Sequence, residues 1–325
     1  MISNDLSPEA HCPRCGYDLR GEIDRWTEQC PLSGICSECG LDLNWIELLS
    51  RDGKPIPGFV EEARGRRRIF TAAWKTWLWT FRPRSFWSRV RLERNPSPGR
   101  LGDWLLIVIV SLHLAPPLML LALILLQSLT RGSSSFGLGE VVAAATWPVE
   151  YDPYSGGLSG AGLEGTRWST GIWVAGLATL LFPLVLFALP WTRLRSKVRD
   201  AHVTRAAVYS LAWLVPLLLA RILHVAAMVI ASSFSGRRMG SWRAVARTAN
   251  NAADLIHECF DAWYLWAPLA CAWLFLWWWR ALQTGFRMKD ARRVYLAMAV
   301  PALLGIAIGI SRSQLFGHLL VVMRF

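Results

Sequence analysis

One eight-residue pattern occurs twice near the N-terminus, as Cys12-Pro-Arg-Cys15-Gly16-Tyr17-Asp18-Leu19 and Cys36-Ser-Glu-Cys39-Gly40-Leu41-Asp42-Leu43. Both copies read Cys-x-x-Cys-Gly-apolar-Asp-Leu, and twenty residues separate the inner cysteines. Two cysteines three apart on a tight turn place both sulfurs on one cation, each about 2.3 Å away. A glycine after the second cysteine suits positive φ and lets backbone N–H groups approach the thiolates. Two such turns supply four sulfurs and close a tetrahedral shell, so Cys12, Cys15, Cys36 and Cys39 are the expected ligands of a structural Zn2+. Iron in the same shell is the alternative metal. A redox Cys-x-x-Cys is ordinarily single and set beside a βαβ pattern, which is missing here. A disulfide pair is disfavoured in a segment facing a reducing cytoplasm. Cys30 is the spare thiol, and His11 reads as a solvated neighbour.

A second set of chemically capable residues lies farther along. Arg221 and His224 are three apart, and His257 and Asp261 are one helical turn apart, beside Asp254 and Glu258. Arg221, His224, His257 and Asp261 are candidates for an intramembrane polar site: a proton or metal path, or a hydrolytic centre. The run His257-Glu-Cys-Phe-Asp261 is not the His-Glu-x-x-His of zinc hydrolases, and no third ligand is obvious. Structural ion pairs or headgroup contacts carry more weight. His113 reads as a packed residue, and Cys259 and Cys271 as ordinary thiols of apolar segments.

Between the cysteines and the apolar stretches lies a basic aromatic segment. Residues 64–94 hold ten Lys or Arg and one acid, Glu93. Phe70, Trp74, Trp77 and Phe81 recur at intervals of four, three and four, which places their rings on one helical face. Arg66, Arg67, Lys75 and Arg82 lie nearby on others. This spacing predicts an in-plane helix ending at Pro83, its rings in the headgroup region and its cations on lipid phosphates. Ser85 is the expected cap of a shorter helix carrying Phe86 and Trp87. Nucleic-acid binding and a bare positive-inside signal are the competing readings.

These residues need elements to hold them. The 325-residue chain is 53% apolar, carries nineteen tryptophans and has a net charge of +12. Such a composition fits a multi-pass membrane protein with a small soluble module. The expected fold is a β-rich zinc ribbon at 1–52, a basic aromatic juxtamembrane segment at 53–100, and an all-α membrane domain at 101–325. Its five expected spans cover about 104–129, 171–191, 206–232, 260–279 and 294–310, with kinks at Pro116, Pro117, Pro183, Pro216, Pro268 and Pro301. No cleavable signal peptide is expected at the polar N-terminus.

Charge orients the spans. Sixteen Lys or Arg precede the first, and basic runs follow the second (Arg193, Arg195, Lys197, Arg199, Arg205) and the fourth (Arg280, Arg287, Lys289, Arg292, Arg293). The positive-inside rule then places the N-terminus in the cytoplasm and the C-terminus outside. Arg237, Arg238, Arg243 and Arg247 go against it, in a segment this order puts outside. Trp173, Trp191, Trp263, Trp266 and Trp277 to Trp279 are expected as interfacial belts. Residues 132–171, rich in glycine and serine, read as a flexible loop.

Cys12-Pro-Arg-Cys-Gly-Tyr-Asp-Leu-Arg-Gly21 with Cys36-Ser-Glu-Cys-Gly40 resembles a widespread set of uncharacterised bacterial proteins in which a zinc ribbon is fused to a membrane domain. The run Phe81-Arg-Pro-Arg-Ser-Phe-Trp87, ending at Pro98-Gly-Arg-Leu101, is similar to that set too. The resemblance covers about the first hundred residues and implies location in the bacterial inner membrane, with no activity to transfer. Five spans after a cytoplasmic N-terminal region resemble, in layout alone, the Yip family of membrane-trafficking proteins.

The expected function is a non-enzymatic membrane adaptor whose ribbon docks a protein partner and whose basic segment meets membrane lipids. The alternatives are a transporter or intramembrane enzyme using Arg221, His224, His257 and Asp261, and a membrane-tethered nucleic-acid binder.

Overall fold

The computed structural model describes residues 11–27, 29–49, 56–90, 92, 94–131, 138–146, 167–188, 197–235 and 240–323. The N-terminal part is a small region built on two strands. β1 (Ser33–Ile35) pairs antiparallel with β2 (Asp42–Asn44), with Gly34 opposite Leu43. The second cysteine pair lies in the connection between them, and helix α1 (Arg20–Ile23) follows the first. Trp45 opens helix α2 (Trp45–Leu49) and lays its indole over the hairpin, edge-on to Trp26 at 4.8 Å. That close approach requires Gly34, where an added Cβ would sit 2.5 Å from the indole nitrogen. Leu19, Leu41 and Leu43 are buried beneath.

The basic aromatic segment forms helix α3 (Arg66–Thr80), preceded by a short 3-10 turn, Val60–Glu62. Helix α4 (Pro83–Arg89) begins with Pro83 in its first turn, where proline's missing N–H has no intrahelical partner to lose. The expected cap at Ser85 is therefore displaced: Arg82 precedes α4, and no side chain caps it. Phe86 and Trp87 are fully buried.

Helix α5 (Pro98–Trp104) passes through a π-helical stretch, Leu105–Val110, into α6 (Ser111–Arg131). Next come α7 (Leu138–Thr146), α8 (Arg167–Ala188) and α9 (Asp200–Ser210); a 3-10 turn, Leu211–Trp213, links α9 to α10 (Leu214–Ser235). The chain continues through α11 (Gly240–Asp261), α12 (Trp263–Arg280) with a π-helical extension at Ala281–Gly285, and α13 (Ala291–Met323).

Among the described residues three stretches are long and apolar enough to cross a membrane: Pro98–Leu129, Asp200–Ala231 and Ala291–Ser311. A shorter apolar stretch, Val174–Ala188, falls in the second expected span. The fourth expected span is helical as α12, eighteen residues that include six tryptophans and end on Arg280, and it is not one of these three stretches. Pro116, Pro117, Pro183, Pro268 and Pro301 lie inside helices, whereas Pro216 sits in the first turn of α10.

Two expectations for the loops change. Residues 138–146, read as flexible, are helical: seven of the nine are apolar or small, which favours a helix over the glycine-serine run before them. The segment holding Arg243 and Arg247, read as a loop, is helical: residues 240–261 form α11, which packs along α10 and takes in the first two residues of the fourth expected span. Its buried stripe is narrow and made of small residues: Ala246 and Ala253 are buried, with Ala249 and Ile256 half-buried.

The chain divides into two compact units that do not follow chain order. One comprises the described residues of Met1–Trp104, Leu180–Ser210 and Leu274–Pro301; the other those of Leu105–Thr179, Leu211–Trp273 and Ala302–Phe325. The core of the first is aromatic. Phe86 lies 5.3 Å from Tyr209 and 5.1 Å from Trp277, Trp87 lies 5.1 Å from Trp277, and Trp104 meets Tyr209 at 5.1 Å. Trp277 and Trp278 are wholly buried here, Trp277 donating to the Ala206 carbonyl at 3.1 Å, so neither belongs to an interfacial belt. An indole with one hydrogen-bond donor serves in a core as well as at an interface once a carbonyl receives it. The Trp191 position and the Trp173 and Trp263 side chains lie outside the described residues. In the second unit Leu120, Ala144 and Val225 form a small buried cluster.

Candidate metal centre

The doubled sequence pattern folds twice in the same way. In the first turn the Gly16 amide donates to the Cys12 carbonyl at 2.8 Å and the Cys12 amide to the Tyr17 carbonyl at 2.7 Å. In the second, Gly40 donates to Cys36 at 2.8 Å and Cys36 to Leu41 at 2.9 Å. Gly16 and Gly40 have φ of +80° and +64°, the left-handed region that explains the glycine after each second cysteine. The Tyr17 amide faces the Cys15 sulfur and the Leu41 amide the Cys39 sulfur, each favouring the thiolate.

The two turns bring four sulfurs together, all within 4.8 Å of one another. Cys12 Sγ lies 3.6 Å from Cys39 Sγ, and Cys15 Sγ 3.7 Å from Cys36 Sγ. A tetrahedral shell with metal–sulfur bonds of about 2.3 Å requires sulfur–sulfur separations of about 3.8 Å. The four cysteines therefore fit one thiolate-bound cation with no position left for substrate. So crowded, the sulfurs cannot all ionise unaided. The Cys39 thiol is lowered to about 5 by the hydrogen bond from Cys12, while Cys12 is pushed up by making that bond and by burial. Burial raises Cys15 to about 11. A divalent cation would displace these protons. Cys30 lies apart from the cluster and is exposed, its thiol 3.4 Å from the Pro31 carbonyl.

The residues between the cysteines are what the rest of the unit grips. The Arg199 amide donates to the Arg14 carbonyl at 2.8 Å, and His202 Nε2 lies 2.8 Å from the Pro13 carbonyl. On the other turn, Lys197 Nζ donates to the Glu38 carbonyl and carboxylate, both at 2.5 Å. A Cβ on Gly40 would stand 3.3 Å from Lys289 Nζ. A cleft of about 560 Å3 beside the first turn is lined by Cys15, Tyr17, Glu38, Lys197 and Arg199 among others. Both turns thus meet residues around the start of α9, and the second also lies beside Lys289. Arg193 and Arg195, from the same basic run as Lys197, lie outside the described residues.

Of the four intramembrane candidates, the side chains of Arg221 and His224 are among the described residues. Arg221, 8% exposed, donates to the Ala144 carbonyl at the end of α7. His224 Nδ1 lies 3.1 Å from the Ala253 carbonyl of α11. Each therefore holds a different neighbouring helix by its backbone. Asp254 and Glu258 are exposed, and the side chains of His257 and Asp261 lie outside the described residues. His113 Nε2 sits 3.1 Å from the Ala145 carbonyl.

Sequence reading missed a buried polar centre. Glu61, in the 3-10 turn, accepts from Arg205 Nε at 2.9 and 3.2 Å and from its terminal nitrogen at 2.8 Å. Tyr209 donates to the same carboxylate at 3.1 Å, and so does the Ser97 amide. The Arg205 and Glu61 side chains are 2% and 3% exposed. Arg205 is thus no loop cation. It fastens α9 to the segment before α3 and to the start of α5. The available signal was Glu61-Glu62, two acids directly before a run of cations. Glu62 is also engaged, by Arg94 and the Ile56 amide.

No family model matches the chain, and no curated protein or solved structure matches it. The four-cysteine cluster and the three membrane-length helices stand on the sequence and geometry alone.

Proposed function

We propose that this chain is a multi-pass inner-membrane adaptor, non-enzymatic, in which a zinc-bound ribbon is fastened to the cytoplasmic side of a five-helix membrane domain. Zinc is favoured over iron by the doubled Cys-x-x-Cys-Gly spacing of a structural ribbon. An adaptor needs one surface fixed and another available. The observation that carries the reading is that the ribbon has both. Its cysteine turns are held by Lys197, Arg199 and His202. Its hairpin and the helix that follows meanwhile expose Leu32, Ile35 and Ile46, each at least 60% accessible. Large aliphatic groups so exposed on a small module favour a protein partner. The metal contributes through folding, because a fifty-residue ribbon has too little core to hold that hairpin alone. Arg221 and His224, each engaged by a helix carbonyl, support scaffolding over transport.

The test is crosslinking in native membranes with three forms of the full chain: wild type, Leu32→Ser/Ile35→Ser, and Cys36→Ser/Cys39→Ser. One protein captured by wild type and lost from both variants is the expected result. Identical capture by all three at equal expression sinks the reading, as does substrate turnover by the purified chain.

A further inference from the structure

We infer that α3 is a membrane-surface helix that selects anionic phospholipid, with its ring face toward the acyl chains and an adjoining row of cations on the headgroup phosphates. At about 100° per residue, α3 presents three separate sectors. Ile69, Ala72, Ala73, Thr76 and Thr80 form the first and are buried. Thr76 Oγ1 there accepts from the Val60 amide at 3.0 Å and donates to the Gly58 carbonyl at 3.4 Å. The second sector carries the rings. Phe70 is 56% and Phe81 40% exposed, and Trp74, Trp77 and Phe81 form an edge-to-face row at 5.6 and 5.2 Å. The third holds Arg67, Lys75 and Arg82, all exposed, with Leu78 at its border with the rings.

A helix packed for water would bury the rings and leave the threonines outside. Here alanine and threonine are inside, so the ring face suits a medium less polar than water. Position supplies that medium: α3 packs on Pro98–Trp104, the first turns of the membrane-length stretch Pro98–Leu129. Charge then specifies the lipid. No acid occurs from 64 to 92, so the cation row has no internal partner on α3 and complements a negative leaflet. Single-stranded nucleic acid would also meet cations and rings, but an aliphatic Leu78, 57% exposed, offers no stacking surface.

The experiment places the full chain in vesicles of phosphatidylcholine, alone or with three parts in ten phosphatidylglycerol, each doped with a phosphatidylcholine carrying a photoreactive acyl chain. Peptide sequencing then maps the labelled residues. The expected result is acyl labelling of residues 66–82 in the anionic vesicles, falling at least five-fold in pure phosphatidylcholine. Arg67→Gln/Lys75→Gln/Arg82→Gln should show a fall at least as large in the anionic vesicles, since each of the three surface cations contributes about five-fold in partitioning. Labelling of the membrane-length stretches, unchanged throughout, reports intact insertion. No labelling of 66–82 in either vesicle, or equal labelling in both, overturns the inference. Protection of that peptide by single-stranded DNA without acyl labelling also overturns it and reassigns the face to nucleic acid.

Discussion

The buried pair of Glu61 and Arg205 makes the sharpest prediction. The two side chains are 3% and 2% exposed, and the carboxylate takes three contacts from the guanidinium plus one each from Tyr209 and the Ser97 amide. Glu61→Ala removes the acceptor of every one of these and leaves a guanidinium in a low-dielectric site. Breaking a buried pair in this way costs about 3–5 kcal/mol. The two further donors add about 1 kcal/mol each, because a buried donor without a partner bears its desolvation. We therefore expect Glu61→Ala to lose about 5–7 kcal/mol, and Arg205→Met about 3–5 kcal/mol. The double variant Glu61→Ala/Arg205→Met removes both charges together. It should lose no more than either single change, a coupling of about 3 kcal/mol or more. The assay is equilibrium unfolding of the purified full chain in mixed micelles titrated with a denaturing detergent, scored for all four members of the cycle. A double variant as unstable as the sum of the two singles would show that the groups do not act as a pair, and the reasoning would be refuted.

Three further outcomes are expected. Elemental analysis of the purified chain should give about one metal ion per chain, and Cys36→Ser/Cys39→Ser should lose it. Hydrogen exchange should then show faster exchange at the Arg199 amide, whose acceptor is the Arg14 carbonyl between two ligands. His202→Ala leaves the Pro13 carbonyl without its 2.8 Å partner. We expect a loss of about 1–2 kcal/mol, read as quicker proteolysis within residues 11–49 while metal content holds. Gly285→Ala would drive a Cβ to 2.5 Å from a ring carbon of Trp87. Overpacking there should cost about 1–3 kcal/mol, measured as a lower thermal midpoint; an unchanged midpoint would mean that the Trp87 core yields freely.

How much of this was legible in the sequence follows from the distance over which each feature is determined. The cysteine turns depend on eight consecutive residues, and Gly16 and Gly40 take the positive φ their position implied. Helix α3 is local too: rings at intervals of four, three and four share a face on a helix, and Trp74, Trp77 and Phe81 meet there in an edge-to-face row. Helix α11 was also legible, since Trp242, Val245, Ala246, Ala249, Ala253, Ile256 and Phe260 recur at helical spacing opposite Arg247, Asp254 and Glu258, and its cations drew the reading toward a loop instead. Trp277 was ambiguous for a different reason. An indole at a helix end suits a headgroup layer or a core equally, and the choice fell to a carbonyl at Ala206, far away in the chain.

Arg205 shows the same principle at its strongest. The rule that basic loops face the cytoplasm uses only the sign of a residue, so Lys197, Arg199 and Arg205 count alike. Geometry separates them: Lys197 holds a cysteine turn, Arg199 lends that ribbon its backbone amide, and Arg205 is committed to Glu61 at a separation of 144 residues. A charge that is paired and buried contributes to one arrangement of the chain and to no other. The basic run after α8 is therefore two devices joined end to end, a seat for the ribbon and an anchor for the segment before α3. Substituting Lys197 should loosen the first without disturbing the second. A melting transition that lost the ribbon and the aromatic core together in Lys197→Ala would contradict that division.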